Sequence, residues 1–590
     1  MDAFARRIVP LIRYHRLALA FALLVGVTAV APHFLAVYSL QGQYQGVPFL
    51  FLDNEYTYLD RIREILDGHP LVGSPLLFEY KSSIAPVLPF GEYLYVLLYL
   101  LSGASLVTAV IVSKFLFPAI LFLLAYVLVY LLASEQKSEG SRMTALAGGL
   151  AVIFGYDIMN LQATAKLLSG SADASYLLVW TRLVNPVTGA MFLLVFLILE
   201  YLIFARRTKY LFIPAGIVLG IMSSYFFSWG TALAVAGSLT VIAFGLRRTR
   251  NALLLLGSIA VSVFVQASFL FRLGLLTDSA NLTTLGLRNG LLLMRQPVVN
   301  KVVLATTIIA LAVFAYQLYS LRKQERTVPL WWWYLLALLS ASWIVFNQQI
   351  ITGRAIWYFH FVQYTIPLSV ILIVVMVGTM LRPKFPKLLM AFVILTIVGT
   401  LSYGVLAAAT YRIKQPEFAR RQSYQPLFSE LDRHPGPCVV FTVEDTDTIG
   451  QMIAAHTHCD LYWTTYSFFG IPPERIIHNF LLLLRLRGIA AADIDSYLHQ
   501  HIGEVHAYFF RDWLQLFSDQ TDQDTEATIS RLVDAYQELA KKNLADELFK
   551  YKLDYIVTSG DLEARIDSTL SLKLLETYGD QNLYSIVKKN

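Results

Sequence analysis

The sequence predicts a polytopic α-helical membrane protein with a C-terminal α/β domain outside the membrane. Of its 590 residues, 56% are hydrophobic and 15% are charged, whereas soluble domains carry about 25% charged residues. The apolar residues form blocks of roughly 17–25 residues, the length that crosses ~30 Å of hydrocarbon. After residue 411 no such block remains, and Asp, Glu, Gln and His become frequent. These observations exclude a disordered protein, a nucleic-acid-binding module and an ordinary soluble enzyme.

The apolar blocks and the charges between them predict a topology. We place eleven spans at residues 17–37, 104–132, 143–158, 187–205, 210–226, 229–246, 252–272, 302–321, 330–350, 361–381 and 388–409. The short connections on one side then hold 18 Lys and Arg residues, and the longer loops opposite hold about ten. Because basic loops stay in the cytoplasm, we expect a cytoplasmic N-terminus, an external C-terminus, and a multi-pass protein of a bacterial plasma (inner) membrane.

This topology divides the chain into two domains. Residues 1–410 form the transmembrane domain, whose first outer loop covers residues 38–103, and residues 411–590 form the extracytoplasmic domain. Residues 90–101 are apolar, but twelve residues are too few for a span. We interpret them as a helix in the outer interface; the alternative is a bent full span.

The C-terminal segment has the pattern of alternating strands and helices. Its composition predicts strands at 438–443, 460–463, 554–558 and 583–587 and helices at 446–456, 472–488 and 525–543. Both cysteines, Cys438 and Cys459, flank the first strand–helix–strand unit. A disulfide and two buried free thiols are equally consistent with this spacing, since sequence separation says nothing about geometry. His456 and His458 beside Cys459 are weak evidence for zinc.

The segment directly after the first span carries the most informative acids. Asp53 and Glu55 precede a run in which Tyr58, Leu59 and Ile62 recur at helical spacing. Charged residues, Glu64 among them, lie on the opposite face, which predicts an amphipathic helix in the membrane interface. One acid at a helix N-terminus is explained by capping. Two acids at the outer end of a span suit the binding of a divalent cation or the acceptance of a proton from a nucleophile. Walker A, GxGxxG, HExxH and GxSxG motifs are missing from the sequence.

This segment resembles the membrane glycosyltransferases of the GT-C superfold, which include protein O-mannosyltransferases and lipid A aminoarabinose transferases. The resemblance covers about residues 10–135. It is carried by Asp53, Glu55, Tyr56 and Tyr58, by residues 79–86 with their Lys and Pro, and by the apolar helix at 90–103. The sequence departs from the superfold's paired acids because Asn54 separates them.

The resemblance implies a sugar on a polyprenyl phosphate as donor and a glycan, lipid or protein as acceptor, with no nucleic-acid partner. Asp53 would be the general base and Glu55 its companion, and both would hold Mg or Mn if the enzyme needs a metal. Cations facing the leaving phosphate would stabilise its developing charge. The candidates are Arg354, Arg182 and Lys81; Tyr56, Tyr58 and His360 would contact sugar or acceptor, and Asp157 is a possible second acid.

Two other classes of protein remain as alternatives. A non-enzymatic transporter or flippase for lipid-linked precursors would normally show inverted repeats or broken helices, and neither is evident. A membrane-anchored scaffold that binds a partner through its outer domain leaves Asp53 and Glu55 unexplained. Turnover of a labelled polyprenyl-phosphate sugar by the purified protein separates an enzyme from a carrier.

Overall fold

The computed structural model describes residues 10 and 12–589, apart from 53, 84–86, 134–138, 157, 159–160, 172–177, 207, 278–290, 326, 444–446, 466–470, 511–517, 563–565 and 567–568. The helices of its membrane part are α1 (Arg16–Ser39), α2 (Glu55–Leu66), α3 (Phe90–Ser102), α4 (Leu106–Ala133), α5 (Glu139–Phe154), α6 (Leu161–Leu168), α7 (Val187–Arg206), α8 (Phe212–Ile221), α9 (Phe226–Gly245), α10 (Thr249–Thr277), α11 (Lys301–Lys323), α12 (Leu330–Asn347), α13 (Gln349–Thr352), α14 (Val362–Lys384) and α15 (Pro386–Ala409). Two short strands, β1 (Leu291–Leu293) between α10 and α11 and β2 (Arg354–Ile356) between α13 and α14, pair as an antiparallel ribbon.

Within the described residues, nine helices are long and apolar enough to cross a membrane. They coincide with nine of the eleven predicted spans. The other two predicted spans, 143–158 and 210–226, correspond to the shorter apolar helical stretches Gly140–Phe154 and Lys209–Ser224. A polytopic helical membrane protein is therefore confirmed, and the number of spans and their orientation stay predictions.

The apolar stretch after the first outer loop forms α3, a helix of 13 residues. Such a helix is ~20 Å long, shorter than the hydrocarbon core. It ends at Gly103, whose positive φ of 61° suits the left-handed cap of a helix. Glu92 in its first turn is buried and pairs with Arg61 of α2 at 2.5 Å. The α3 helix therefore lies beside α2, and its place in the outer interface stays a prediction.

The C-terminal segment folds around a five-stranded mixed sheet. Its strands are β3 (Val439–Thr442), β4 (Asp460–Leu461), β5 (Tyr555–Thr558), β6 (Leu570–Tyr578) and β7 (Gln581–Lys588), in the order β4-β3-β5-β7-β6. Strands β3, β4 and β5 are parallel, and β7 pairs antiparallel with β5 and β6. Its helices are α16 (Tyr411–Gln422), α17 (Gln425–Leu431), α18 (Asp447–His456), α19 (Pro473–Leu486), α20 (Ile494–Gln500), α21 (Ile502–Val505), α22 (Ser518–Ala540) and α23 (Leu544–Leu548).

The predicted α/β character of this domain is confirmed, and one strand was missed. The seven predicted elements correspond to β3, β4, β5, β7, α18, α19 and α22. The missed strand is β6, although Leu570, Leu572 and Leu574 alternate with Ser571 and Lys573 as expected for a strand. Leu570 is buried, Leu572 is partly buried against the core of the C-terminal domain, and Leu574 is exposed, so the apolar face of β6 is buried only at its start.

The first outer loop joins the C-terminal domain. The Leu461 amide donates to the Leu76 carbonyl at 2.7 Å, and Leu77 forms an isolated parallel bridge with Leu461. Leu77 is 1% exposed and belongs to the hydrophobic core of the C-terminal domain. The Glu79 carboxylate lies 3.5 Å from the buried Arg475. The loop therefore fixes the C-terminal domain over the end of the helix bundle where α2 lies.

The α2 helix is buried on a face that the sequence assigned to solvent. The expectation of an amphipathic surface helix placed Glu64 on the charged face, yet its side chain is only 3% exposed, and Asp60 is also buried. The expectation was wrong because α18 packs on α2. Burial and the neighbouring Glu64 raise the pKa of the Asp60 carboxyl well above its usual value, which favours the neutral acid.

Candidate functional site

Glu55 occupies a closed set of hydrogen bonds at the start of α2. Its Oε1 accepts from the Phe51 and Leu52 amides at 3.0 and 3.1 Å, and its Oε2 accepts from the Leu183 amide at 3.1 Å. Lys114 Nζ lies 3.7 Å from Oε2, and the Glu55 side chain is fully buried. The carboxylate thereby connects the chain before α2 to the chain before α7. Because these donors occupy both oxygens, this geometry does not support Glu55 as a metal ligand.

Arg182 lies beside the first turn of α2. Its Nη2 donates to Asn54 Oδ1 at 3.3 Å. Its Nε is buried, with no hydrogen-bond partner in the part of the chain that the structure describes. Burial raises the pKa of the Tyr58 phenol, and the charge of Arg182 and a hydrogen bond with Asn185 oppose this shift. The structure thus brings Arg182 and Tyr58, both predicted from the sequence, into one place.

Aromatic residues from three separate segments of the chain lie near Arg182. We call this cluster the Arg182 site and define it as Asn54, Tyr58, Arg182, Tyr225 and His360. Arg182 is within electrostatic range of both Tyr225 and His360. The His360 ring stacks on Phe227, with centroids 4.9 Å apart. The Arg182 site therefore combines one cation with hydroxyl, amide and imidazole groups, a set suited to an anionic headgroup and its sugar.

Sequence reasoning missed Asn54, Asn185 and Tyr225 as members or neighbours of this site. Asn54 was noted only as the residue that separates the two acids. Tyr225 belongs to an apolar block, and nothing in the sequence indicates which end of a helix faces a site. Arg182 was found because it stands in a polar segment just before a span.

An apolar groove runs along α9 and α12 toward the Arg182 site. Its cavity is about 690 Å³, and its walls include Gly230, Gly237 and Ile242 of α9. The lining extends from Phe226 to Ile242, which corresponds to ~24 Å of helix. Val241 in its wall is 72% exposed, so the groove opens to the lipid side of the bundle.

The groove reaches the neighbourhood of His360 and Arg354 at one end. Phe361, next to His360 in the chain, lines this end, as do Gln348 and Thr352. The Gln348 and Thr352 side chains donate to the Arg354 carbonyl at 2.9 and 3.1 Å. The Arg354 side chain is exposed on β2. Two predicted cations, Arg182 and Arg354, therefore lie near the same end of the groove. Arg182 is near His360, whose neighbour Phe361 lines the groove, and Arg354 is bonded to the lining residues Gln348 and Thr352.

Lys81, the third predicted cation, is held elsewhere. Its Nζ lies 2.5 Å from Glu64 Oε2 and 2.8 Å from Asp460 Oδ1, and its side chain is 15% exposed. We call Lys81, Glu64 and Asp460 the α2–β4 ion cluster. Two carboxylates already neutralise Lys81, which makes it the least available of the three predicted phosphate-binding cations.

Three further predicted residues have different outcomes. Tyr56 is fully buried, with the Arg421 guanidinium 5.3 Å from its ring centroid and the His456 ring 6.2 Å away. It faces the C-terminal domain, so the expectation that it contacts sugar or acceptor is not supported by this geometry. Asp53 and Asp157 lie outside the described residues.

The cysteines form a disulfide between the starts of β3 and β4, with Cα atoms 4.6 Å apart. This decides between the two alternatives that the sequence left open. In the described residues, one group of His, Cys, Asp and Glu side chains has the spacing of metal ligands: His434, Cys438 and His458. It lies in the C-terminal domain and includes neither Asp53 nor Glu55.

Comparisons with known proteins give structural neighbours only. No protein-family model and no curated protein sequence matches the chain. It is similar to ArnT from Cupriavidus metallidurans bound to undecaprenyl phosphate, with 13% identity, coverage of 97% of this chain and 98% of that chain, and a TM-score of 0.46. It is also similar to the archaeal oligosaccharyltransferase AglB from Archaeoglobus fulgidus in complex with an inhibitory peptide and a dolichol-phosphate, with 14% identity, coverage of 92% and 69%, and a TM-score of 0.44.

Both neighbours are GT-C glycosyltransferases, the superfold that residues 10–135 resemble. At identities of 13–14% and TM-scores below 0.5, these similarities assign neither a family nor an activity to this chain.

Proposed function

We propose that the protein is a membrane glycosyltransferase that moves a sugar from a polyprenyl-phosphate donor to an acceptor at the end of the bundle covered by the C-terminal domain. The observation that carries the proposal is the long apolar groove that ends near Arg354 and the Arg182 site. A polyprenyl chain is wholly apolar and its phosphate is anionic. A lipid-facing groove that ends at cations matches both parts of such a donor.

Arg182 is the proposed contact of the donor phosphate. A guanidinium presents several donors in a fixed plane and binds phosphate in a bidentate manner. The unsatisfied Nε of Arg182 leaves a donor for such a contact. Charge develops on the phosphate oxygens as the sugar leaves, so a fixed cation stabilises the transition state. Arg354, exposed at the end of the groove, is the second proposed contact.

Asp53 is the proposed general base, and Glu55 is a positioning residue. Asn54, the neighbour of Asp53, bonds to Arg182, so a base at 53 would act close to the donor phosphate. The Glu55 carboxylate is occupied by three backbone amides and would fix the start of α2 rather than take a proton. Inversion at the anomeric carbon follows from direct attack by the acceptor hydroxyl.

The groove offers a direct test. Gly237 lies in the groove, and a Cβ added there meets no atom within 4 Å. Gly237→Phe therefore fills the groove without forcing the helices apart. Gly245→Phe is the matched control, because Gly245 is on the same helix, has equally open surroundings and lies outside the groove lining.

Transfer is measured with purified protein and a labelled polyprenyl-phosphate sugar. We expect Gly237→Phe to raise the KM for donor at least ~10-fold, since blocking the groove removes donor binding of ~1.4 kcal/mol or more, and Gly245→Phe to behave as the unmodified protein. Equal activity of the two variants would exclude the groove as the donor site. If the purified protein moves the donor between leaflets without cleaving it, the protein is the transporter or flippase of the alternative interpretation and not a glycosyltransferase.

A further inference from the structure

Three metal-binding side chains meet where β3 and β4 begin, and a fourth is joined to one of them. Cys438 and Cys459 are joined as the disulfide, and the ligand atoms of His434, Cys438 and His458 all lie within 4.8 Å of one another. The fourth group, the Cys459 sulfur, is bonded directly to that of Cys438. One sulfur and two imidazoles therefore lie together in the C-terminal domain, and the second sulfur is covalently attached to the first.

The orientation of His458 is that of a metal-ligating histidine. Its Nδ1 lies 3.0 Å from Asp432 Oδ1, and its Nε2 lies 3.6 Å from Cys438 Sγ. A carboxylate on one ring nitrogen commonly fixes the tautomer and directs the other nitrogen toward a metal. The Gly436 carbonyl lies 2.9 Å from Nε2, so a metal ion on this nitrogen would replace that contact.

One pair of these ligand atoms already has the separation found in a tetrahedral zinc centre. Zinc binds Cys sulfur at about 2.3 Å and His nitrogen at about 2.0–2.1 Å, so two such ligands at the tetrahedral angle lie ~3.5 Å apart. The observed separation of His458 Nε2 and Cys438 Sγ is 3.6 Å. Sulfur and imidazole favour zinc over the hard cations Mg²⁺ and Ca²⁺, which prefer oxygen.

We propose that reduction of the Cys438–Cys459 disulfide converts this cluster into a Cys₂His₂ zinc site with His434 and His458. Two molecules of a thiol reductant supply two electrons and two protons, which breaks the S–S bond, yields two Cys thiols and leaves the reductant as its own disulfide. Zn²⁺ then binds the two sulfurs as thiolates and releases both thiol protons. Exchange with the disulfide form of the reductant re-forms the Cys438–Cys459 bond, returns two thiols of the reductant with the uptake of two protons, and releases Zn²⁺.

The two states serve one structural purpose. Both crosslink β3 to β4, and the residue after Cys459 is Asp460, which contacts Lys81 in the α2–β4 ion cluster. Either crosslink therefore keeps Asp460 in contact with Lys81 of the first outer loop. His456 is not a ligand, because its ring stacks on Phe428 at 5.2 Å between centroids, within the core.

Cobalt binding tests the proposal on the full-length protein in detergent. The oxidised protein and the thiol-reduced protein, desalted without oxygen, are titrated with Co²⁺ and followed by visible absorption. Thiolate-bound tetrahedral cobalt has charge-transfer and d–d bands that Zn²⁺ abolishes by displacement. We expect one Co²⁺ per reduced chain and none per oxidised chain.

Variants distinguish a metal site that includes the two histidines from cobalt binding by the two reduced cysteines alone. We expect His458→Ala and His434→Ala each to weaken binding at least ~10-fold, and Asp432→Asn to weaken it by about 10–100-fold through its effect on His458. His499→Ala, an exposed histidine on α20, is the matched control and leaves affinity unchanged. The proposal is overturned if the reduced protein shows no thiolate–cobalt bands, if both histidine variants bind as the unmodified chain does, or if the oxidised protein binds equally well.

Discussion

The two ends of α2 use the same residue type in different ways. At its start, Glu55 is fully buried, and three backbone amides and Lys114 surround its oxygens. Near its end, Glu64 and Asp460 of the C-terminal domain both contact the Lys81 ammonium, and His69 Nδ1 lies 2.9 Å from Glu64 Oε1. A carboxylate held by backbone amides is fixed by the fold, whereas two carboxylates that share one cation respond to pH. The start of α2 is therefore rigid support for the Arg182 site, and its end is a titratable contact between domains.

The largest expected effect is at Asp53, which precedes α2 in the chain. Asp53→Asn keeps the size of the side chain and removes its ability to accept a proton, and loss of a general base costs about 10²–10⁴ in rate. We expect a protein that folds, inserts and binds the lipid-linked donor, with transfer reduced at least ~100-fold. Turnover and melting temperature are measured on the same preparation. Near-normal transfer in this variant would remove the main support for an enzyme.

Replacement of Arg182 has the next largest effect. Loss of a charge-assisted contact costs about 1.5–3 kcal/mol, or roughly 10- to 150-fold in affinity. Arg182→Ala should weaken donor binding by this factor, with Arg354→Ala in the same direction, and acceptor binding should change little. Arg295→Ala is the control, since that guanidinium donates to the Ile350 and Ile351 carbonyls. Donor affinity equal to that of the control would make Arg182 an interfacial anchor.

Glu55 distinguishes structural support from chemistry. In Glu55→Gln an amide group replaces one oxygen and faces a backbone donor, and a buried group left unsatisfied costs about 1–3 kcal/mol. We expect a lower melting temperature, with less effect on turnover per folded molecule than in Asp53→Asn. Lys114→Met, which removes the facing ammonium, should be less than additive with Glu55→Gln because the two groups interact. The opposite pattern, an unchanged melting temperature with lost turnover, would indicate that Glu55 takes part in the transfer reaction itself.

The smallest effect concerns pH at the titratable end. Burial raises the pKa of Asp460 to about 7, with Lys81 opposing and Glu64 and Asp67 adding to the shift. A carboxyl whose pKa is raised in the folded state stabilises the fold below its unfolded pKa of about 4, and this contribution is lost as pH rises toward 7. The melting temperature should therefore fall between about pH 4 and 7, and Asp460→Asn should flatten that dependence. An equally steep profile in the variant would assign the titration to another group.

The sequence also predicts a topology that labelling can test. The charge bias puts residues 60 and 570 on one side of the membrane and residue 325 on the other. In the structure α2 and the C-terminal domain pack together, so the first two positions share one end of the bundle. Single cysteines introduced at these positions, in a background without Cys438 and Cys459, should react with an impermeant reagent at 60 and 570 and be spared at 325.

The sequence by itself determined the membrane class, the α/β character of residues 411–590 and the short helix at 90–102, because hydrophobic length and periodicity are local properties of a chain. It also indicated Arg182, Tyr58 and His360. Only the tertiary structure decided that Glu55 is enclosed by amides from residues 51, 52 and 183, that Tyr56 faces the C-terminal domain, and that Lys81 is held by Glu64 and Asp460. Each of these outcomes involves at least one partner more than a hundred residues away in the chain, namely Leu183, Arg421 or Asp460. The charge or spacing of a side chain does not reveal which distant group will lie beside it.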